Sequence, residues 1–266
     1  MSILSYKRLE NRRIRWLFQV SCFHFRKLES YKTNLLSSSF YDKLREDLKK
    51  CCDDLGVDEI EQIICYGLGN FTECLIAKYQ LALLMLIKSL FEAEVYIYDP
   101  VFSSVEIEFL KNLQLVMIDG NEEGVRDVNC TSLIYMPHCP TPLINNLLWH
   151  NWGPKISNCI IFGNSFQSLF TSQPEHQFRK QFAYIHSILP YTKELEIANI
   201  FMYTDIFNDI SLHYFPPSIS DLPVSFWKNK TKPEYDDTDV ECISNKLRST
   251  NINDDKIDEK AEGNVC

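Results

Sequence analysis

Hydrophobic and polar residues follow two alternating spacings over most of this chain. Phe40, Leu44, Leu48 and Leu55 recur at helical spacing, which predicts a helix over residues 40–55. Beyond residue 60, short apolar runs indicate buried strands and longer periodic stretches indicate helices. The predicted strands cover residues 61–67, 94–100, 113–119, 131–140, 158–166, 195–203 and 210–215. The later predicted helices cover residues 72–91, 103–114, 141–152 and 165–187.

The order of these elements predicts the fold class. Strand and helix alternate five times, which is typical of a doubly wound, mostly parallel sheet with helices on both faces. The last two strands are joined by a short connection, which favours an antiparallel hairpin at one edge. We therefore predict an α/β, Rossmann-like fold with a C-terminal antiparallel hairpin, the layout of Rossmann-like methyltransferases. A fold of this kind does not by itself specify a function.

Composition divides the chain into three parts. The 266 residues suffice for one large domain, which we place at residues 39–225. Residues 1–38 form a basic N-terminal arm in which Arg12, Arg13 and Arg15 cluster, either as a solvated segment or as a binding patch. Residues 226–266 are polar and acidic. We predict a disordered tail there, because such a segment buries too little apolar surface to offset its ordering entropy.

Charge and cysteine usage narrow the class of protein. The net charge of −9 argues against direct nucleic-acid binding, which needs a surplus of lysine and arginine. No apolar run approaches 18 residues, so we expect no membrane span and place the chain in the cytoplasm, or in both cytoplasm and nucleus. The 10 cysteines are scattered without a CxxC pair, so no metal site is predicted. Cys65, Cys74 and Cys159 are interpreted as buried, reduced thiols.

Polar side chains gather where the predicted strands end. Ligands of doubly wound sheets bind at the carboxyl ends of the strands, near the switch in strand order. Asp119 and Cys139 also lie at such ends. The predicted ligand-binding residues are Tyr66, Gly67, Gly69, Asn70, Asp99, His138, Asn164 and Ser165.

The glycine turn after the first strand has two interpretations. Backbone amides at the start of a helix attract anions, and glycines let a ligand approach closely. The GxGxxG pattern is incomplete, however, because Thr72 stands where the third glycine belongs. A simple strand-to-helix turn explains Gly67 and Gly69 equally well. Asp99 is placed to accept hydrogen bonds from ribose hydroxyls, or else to cap the turn before Pro100.

His138 and Cys139 lie between two prolines at the end of the fourth strand. Neighbouring residues of an extended strand point to opposite faces, so they do not share a metal unless the backbone turns there. His138 is a candidate general acid or base, and otherwise a hydrogen-bonded residue of the strand end. Cys139 followed by proline is a candidate haem ligand of the thiolate type, and otherwise a buried thiol.

No catalytic motif accompanies these residues. The sequence has no GxSxG elbow, HExxH, Walker pattern or paired carboxylates. Asn145, Asn146, His150 and Asn151 crowd one predicted helix, but amides are poor nucleophiles. The pattern favours a binding cleft. Whether the protein is an enzyme stays open, and the absence of a catalytic motif favours a protein without enzymatic activity.

Several motifs in order resemble a known family. CYGLGNF, QLALL, YDPVF, MPHCP, LLWHNW, IIFGNSF and FNDISLHYF are similar to SRR1-like proteins (sensitivity to red light reduced) over residues 55–216. The resemblance implies a regulatory role. Plant members are linked to light signalling and the circadian clock, animal members to haem biosynthesis and clock gene expression, and a fungal member to microtubule stability. It supplies no catalytic residues.

Two functions therefore stand as hypotheses. The first is a regulatory protein that binds a small ligand in the strand-end cleft, with haem and a nucleotide as candidates. It would act on haem synthesis and clock output and would have regulatory protein partners. The second is a cryptic methyltransferase that holds S-adenosylmethionine with Gly67, Gly69 and Asp99. An absent catalytic base does not exclude the second, because methyl transfer depends mainly on proximity and orientation.

Overall fold

The computed structural model describes residues 25–228 and 230–235. Strands and helices alternate through the first two thirds of this part, and short helices dominate the rest. The strands are β1 (Gln62–Tyr66), β2 (Glu94–Tyr98), β3 (Val116–Met117), β4 (Ser132–Met136), β5 (Cys159–Asn164), β6 (Lys193–Glu196) and β7 (Ile210–Tyr214). The helices are α1 (25–36), α2 (Ser39–Leu55), α3 (Leu75–Phe91), α4 (Ser104–Asn112), α5 (Thr141–His150), α6 (Phe166–Thr171), α7 (Glu175–Gln181), α8 (Ala183–Ile188) and α9 (Val224–Trp227).

The seven strands form one sheet in the order β3-β2-β1-β4-β5-β7-β6. The first five in this order are parallel to one another. β7 pairs antiparallel with both β5 and β6, so the sheet ends in the predicted antiparallel pair. The predicted α/β, Rossmann-like fold class is therefore confirmed.

A hydrophobic core covers each face of the sheet. Alternate residues of β1 point to opposite sides, so Ile63 and Cys65 join one core while Ile64 and Tyr66 join the other. The first core contains apolar side chains of α1 to α4, and the second contains those of α5 to α8. Both faces of the central strands are buried, which explains their continuous apolar runs.

The sequence placed most helices correctly, and their end signals behave as expected. Ser103 is the N-cap of α4: its hydroxyl accepts from the backbone N–H of Glu106, whose carboxylate accepts from the N–H of Ser103. The predicted helix over 165–187 is instead three short helices. Pro174 stands at the N-cap of α7 and Phe182 leaves helical geometry before α8.

Two other predictions are corrected by the structure. The predicted strand over 195–203 is wrong beyond Glu196, since the following residues form a loop whose Ile197 and Phe201 are buried in the first core. Their apolar pattern reflects that burial. Cys65 and Cys159 are buried as predicted, but Cys74 is exposed because it is the N-cap of α3 at the surface.

Both ends of the described chain pack against the domain. Leu28 and Leu35 of α1 are buried in the first core, although they precede residue 39. Residues 230–235 contact α5 and α8. The proposed boundaries of arm, domain and tail stay predictions, and residues 1–24, 229 and 236–266 lie outside the described residues. Within the described part, no helix combines the length and apolar character that crossing a membrane requires.

Candidate functional site

The switch in strand order lies between β1 and β4. From β1 the chain winds towards β2 and β3, whereas from β4 it winds towards β5. The carboxyl ends of these two neighbours carry the glycine turn (Tyr66–Asn70) and the residues His138 and Cys139. This is the position at which ligands of doubly wound sheets bind.

Cys139 joins the two strand ends. Its thiol donates to the carbonyl oxygen of Tyr66 at 3.1 Å, and its own carbonyl accepts from Nδ2 of Asn164 at 2.9 Å. Burial, with a smaller contribution from the charge of Asp99, raises the pKa of the Cys139 thiol, so the sulfur stays protonated. A buried thiol is an inert packing group. This placement does not favour Cys139 as a haem ligand, and haem ligation stays a prediction.

Gly67 combines a left-handed backbone with close packing against Cys139. Its φ is +68°, and a Cβ built on it would lie 2.3 Å from Sγ of Cys139. Gly69 also has a positive φ, +79°, but a Cβ there would meet its nearest neighbour at 3.8 Å. The two glycines thus have different roles. Gly67 leaves space for the sulfur of Cys139, whereas Gly69 is needed only for the positive φ of the turn.

Asp99 closes the glycine turn from the neighbouring strand. Its Oδ2 accepts from the N–H of Gly69 at 2.7 Å, and its Oδ1 accepts from the N–H of Val101 at 2.9 Å. Burial raises the pKa of Asp99 above its ordinary value, while these two backbone hydrogen bonds oppose the rise. The carboxylate thereby accepts the hydrogen bond of an amide that would otherwise be free to bind a phosphate.

A second buried carboxylate holds the far end of the turn. Glu106 is fully buried, and its Oε1 accepts from the N–H of Thr72 at 3.0 Å. Oδ1 of Asn70 accepts from the N–H groups of Thr72 and Glu73 at 3.0 and 3.1 Å. The amides of Gly69, Thr72 and Glu73 are therefore hydrogen-bonded to side chains of the same chain. This arrangement supports the strand-to-helix turn and does not favour a phosphate cradle.

Tyr66 belongs to a network that the sequence did not reveal. Its hydroxyl donates to Oε2 of Glu122 at 2.6 Å, and Glu122 also accepts from Nη1 of Arg126 at 2.8 Å. Burial, then the hydrogen bond to Glu122, raises the pKa of Tyr66. The guanidinium of Arg126 lies 4.8 Å from the ring centre of Tyr96. Glu122 and Arg126 lie in a loop with no motif, so no sequence signal marked them.

His138 is exposed beyond the carboxyl end of β4. The chain turns there, with a φ of +55°, and Nε2 lies 3.2 Å from the carbonyl oxygen of Ile206. His138 therefore points outward while Cys139 points inward. Among the described residues, no three His, Cys, Asp or Glu side chains are arranged to hold a metal ion.

Ser165 is part of a separate cluster at the end of β5. Its hydroxyl donates to Oε1 of Glu194 at 2.5 Å and caps α6 by accepting from the N–H of Ser168. The fully buried His213 accepts from the N–H of Phe166 at 3.2 Å and lies 3.6 Å from Glu194. Burial raises the pKa of Glu194, but His213 and the Ser165 hydroxyl outweigh burial and lower it to about 2.

The contacts of this cluster hold the start of α6 against β6 and β7. The Ser165 hydroxyl donates to the carboxylate of Glu194, whereas a nucleophile activated by histidine would donate to the imidazole. Glu194 and His213 lie on the antiparallel strands β6 and β7. Only the fold could reveal that these two strands contribute residues to the cluster.

The asparagines of α5 also have internal roles. Asn145 is fully buried, and its Oδ1 accepts from the N–H groups of Tyr184 and Ile185 at the start of α8. Asn146 donates to the carbonyl of Glu123 at 3.0 Å. Asn151, after α5, donates to the carbonyl of Arg126 at 2.9 Å. These amides hold α8 and the loop before β4 against the domain.

A small cavity and a large groove lie at different distances from the glycine turn. A cavity of 50 Å³ adjoins it, lined by Phe71, Thr72 and residues of α1, α3 and α4. Ligand pockets usually measure roughly 300–1,000 Å³. A groove of 940 Å³ lies at the other end of the sheet, lined by parts of α2, the end of α3 and residues 57–59 before β1.

The structure therefore brings together part of the predicted site. Tyr66, Gly67, Gly69 and Asp99 meet Cys139 at the β1–β4 switch, with Asn70 and Asn164 beside them. His138 faces outward from the same edge, and Ser165 belongs to the cluster with Glu194. What the edge offers a ligand is the exposed backbone of Gly67 and the side chain of His138.

Comparisons with known proteins point to one family. The family model of the SRR1 domain matches residues 33–214. An SRR1-like protein of Mus musculus is 42% identical over 111 residues, covering 40% of this chain and 45% of that protein. An SRR1-like protein of Drosophila melanogaster is 29% identical over 71% of this chain and 67% of its own length.

The comparison extends to plants. The protein named sensitivity to red light reduced 1 of Arabidopsis thaliana is 29% identical over 220 residues, covering 74% of this chain and 77% of that protein. Because the family model matches more than half of its residues, this chain belongs to the SRR1 domain family.

Proposed function

We propose that this protein is a regulator that acts by binding, in the control of haem biosynthesis and of circadian clock gene expression, within the cytoplasm or nucleus. Membership of the SRR1 family supports a regulatory role, and the Arabidopsis relative bears a name that refers to light sensitivity. The ligand site is the edge formed by Gly67 and His138, where a small molecule binds and regulatory protein partners respond.

One observation carries the preference for binding over catalysis. The polar groups near the β1–β4 switch are hydrogen-bonded to one another: Cys139 to Tyr66, Asp99 to Gly69 and Glu106 to Thr72. A catalytic nucleophile or base instead needs a polar atom directed at the reacting group. A regulatory ligand needs only a surface of fixed shape, which these contacts provide.

The charges at the turn narrow the class of ligand. Asp99 and Glu106 lie directly behind the amides, so an approaching phosphate meets carboxylates instead of unpaired N–H groups. A ligand that carries hydroxyl or cationic groups is favoured over one that carries phosphates. S-adenosylmethionine fits this description better than NAD does.

A ligand titration of the full chain tests the proposal. Haem, S-adenosylmethionine and NAD are each added while the thermal unfolding temperature is recorded for the wild type, His138→Ala, Asp99→Asn and, as a control at an exposed position of α4, Glu108→Gln. A ligand at 100 times its Kd stabilises the fold by about 2.7 kcal/mol. We expect stabilisation that His138→Ala weakens and the control retains. No shift with any ligand contradicts binding at this edge.

The regulatory role is tested in cells from which the protein has been depleted. We expect altered haem content and altered rhythm of clock transcripts, both restored by the wild type and poorly restored by a folded His138→Ala variant. Unchanged haem and transcripts after depletion contradict the role even if a ligand binds in the purified protein.

A methyltransferase is the second candidate, favoured by the strand order and by Asp99 at the end of β2. It predicts transfer of a labelled methyl group from S-adenosylmethionine to a component of a cell extract, lost in Asp99→Asn. Binding of S-adenosylmethionine without transfer supports the regulator.

A further inference from the structure

His138 is the third residue of a tight turn that follows β4. The turn comprises Met136, Pro137, His138 and Cys139, and the N–H of Cys139 donates to the carbonyl of Met136 at 3.4 Å. Proline in the second position and a positive φ in the third, +55° at His138, are the pattern of a type II turn. Glycine or asparagine is the ordinary third residue, because a Cβ is strained in this conformation. The turn by itself therefore does not account for a histidine here.

The imidazole of His138 reaches the loop between β6 and β7. Its Nε2 lies 3.2 Å from the carbonyl oxygen of Ile206, a buried residue. A carbonyl oxygen only accepts hydrogen bonds, so the hydrogen of the neutral imidazole lies on Nε2. Nδ1 is thereby left as an unprotonated acceptor. Within the described part of the chain, Nδ1 has no hydrogen-bond partner, and the side chain of His138 is exposed.

A buried glutamine holds the carbonyl that sets this tautomer. Nε2 of Gln80 donates to the same oxygen of Ile206 at 3.3 Å, and Gln80 is only 3% exposed. The backbone carbonyl of Gln80 in turn accepts from the hydroxyl of the fully buried Tyr135 at 3.0 Å. The carbonyl of Ile206 is therefore anchored to α3, and through that carbonyl the ring of His138 is oriented.

We propose that Nδ1 of His138 recognises a hydroxyl group of the ligand, with Gln80 and Ile206 as positioning residues that hold the Nε2–H tautomer. This role rests on the proposed function, since it names what the ligand edge recognises. A hydroxyl donates to Nδ1, whereas a carboxylate or phosphate oxygen would face the nitrogen as acceptor against acceptor.

Two other partners of an unprotonated nitrogen fit these surroundings less well. A metal ion needs further ligands, and no three His, Cys, Asp or Glu side chains of the described residues are arranged to supply them. An ammonium group is strongly hydrated and gains little by giving up water for an exposed neutral nitrogen. Nucleotides bind at the switch in strand order of doubly wound sheets, and their ribose supplies hydroxyls. Because the glycine turn disfavours phosphates, the ligand class is a nucleoside.

Nitrogen-15 NMR of the histidine rings tests the tautomer without any ligand. The full chain is labelled at its 6 histidines and measured at mildly alkaline pH, where a histidine side chain is neutral. Signals that are missing from His138→Asn identify His138. We expect hydrogen on Nε2 and none on Nδ1 in the wild type, and a mixture of both forms in Gln80→Leu. Hydrogen on Nδ1 of the wild type, or a single Nε2–H form in a folded Gln80→Leu, contradicts the positioning role.

A matched pair of nucleosides tests the ligand class. Adenosine and its derivative with every ribose hydroxyl methylated are titrated while the Nδ1 signal of His138 is followed. We expect adenosine to shift this signal and the methylated derivative to bind about tenfold more weakly, the effect of one hydrogen bond. His138→Asn should lose the preference for adenosine. It should nevertheless unfold at no lower temperature than the wild type, because asparagine suits the turn.

The possible failures are distinguishable. Equal binding of the two nucleosides, an unmoved Nδ1 signal, or a preference that persists in His138→Asn overturns the recognition of a hydroxyl by Nδ1. If haem or S-adenosylmethionine still stabilises the chain in that case, the proposed function stands. No binding of adenosine, haem, S-adenosylmethionine or NAD contradicts both the hydroxyl recognition and the ligand edge itself. Near-ultraviolet circular dichroism of each variant verifies that the domain is folded.

Discussion

Replacement of Gly67 by alanine tests the interpretation of the glycine turn. An alanine at a φ of +68° costs about 1–2 kcal/mol from backbone strain. Its Cβ would also lie 2.3 Å from Sγ of Cys139, well inside contact distance, and relief of such overpacking typically costs about 1–3 kcal/mol. The unfolded chain loses entropy on the change, which returns about 0.4–1 kcal/mol. We expect Gly67→Ala to lower the free energy of unfolding by about 2–4 kcal/mol.

Gly69→Ala is the matched control. Its φ of +79° imposes the same kind of strain, but the nearest atom to the new Cβ is 3.8 Å away. The expected loss is therefore only about 1 kcal/mol. The difference between the two variants isolates the contact with the sulfur of Cys139.

Urea unfolding of the full chain, followed by far-ultraviolet circular dichroism, measures both losses, and an unchanged m-value shows that the folded and unfolded states are comparable. A double-mutant cycle adds Cys139→Ala. Removal of Sγ should make the Gly67→Ala change less costly by about 1–3 kcal/mol. Equal losses for the two glycine variants, or no coupling between Gly67 and Cys139, would refute the reasoning.

Three further predictions concern the polar contacts. Glu194→Gln should cost about 1–2 kcal/mol at pH 7 after allowance for its partial exposure. Because the folded pKa of about 2 lies below the ordinary 4.5, this stability is present above pH 4.5 and is lost as the pH falls towards 2. Urea unfolding at pH 7 and pH 3 should show the difference shrinking, and a pH-independent difference contradicts it. Asn145→Ala should cost about 2–4 kcal/mol in chemical unfolding, since it leaves two buried N–H groups of α8 without an acceptor. A loss below 1 kcal/mol would mean that water replaces the amide. Ser103→Ala should cost about 1 kcal/mol through the cap of α4, while the neighbouring exposed Ser104→Ala should be nearly neutral, and equal thermal shifts for the two would show that the capping box contributes little.

The edge at the β1–β4 switch shows where sequence reasoning stops. Gly67, Gly69 and Asp99 are marked by residue type and by their position at strand ends, so the sequence could place them together. It could not show that Asp99 accepts from Gly69, because that contact joins two strands separated by 30 residues in the chain. Glu122 and His213 have no motif and are recognisable only by their partners.

The periodic pattern of apolar residues by itself determined the main elements, the parallel sheet and the antiparallel edge, because each face of a sheet or helix must bury its apolar side. Local signals of helix ends, such as the N-cap Ser103, could be recognised equally well in the sequence, since a cap acts within one turn of helix. Tertiary structure decided what those elements do with their polar groups. The sulfur beside Gly67, the carboxylates behind the turn and the attachment of Tyr235 to α5 all depend on distances between segments remote in sequence. Such distances are set by the packing of the whole domain, and no local pattern records them.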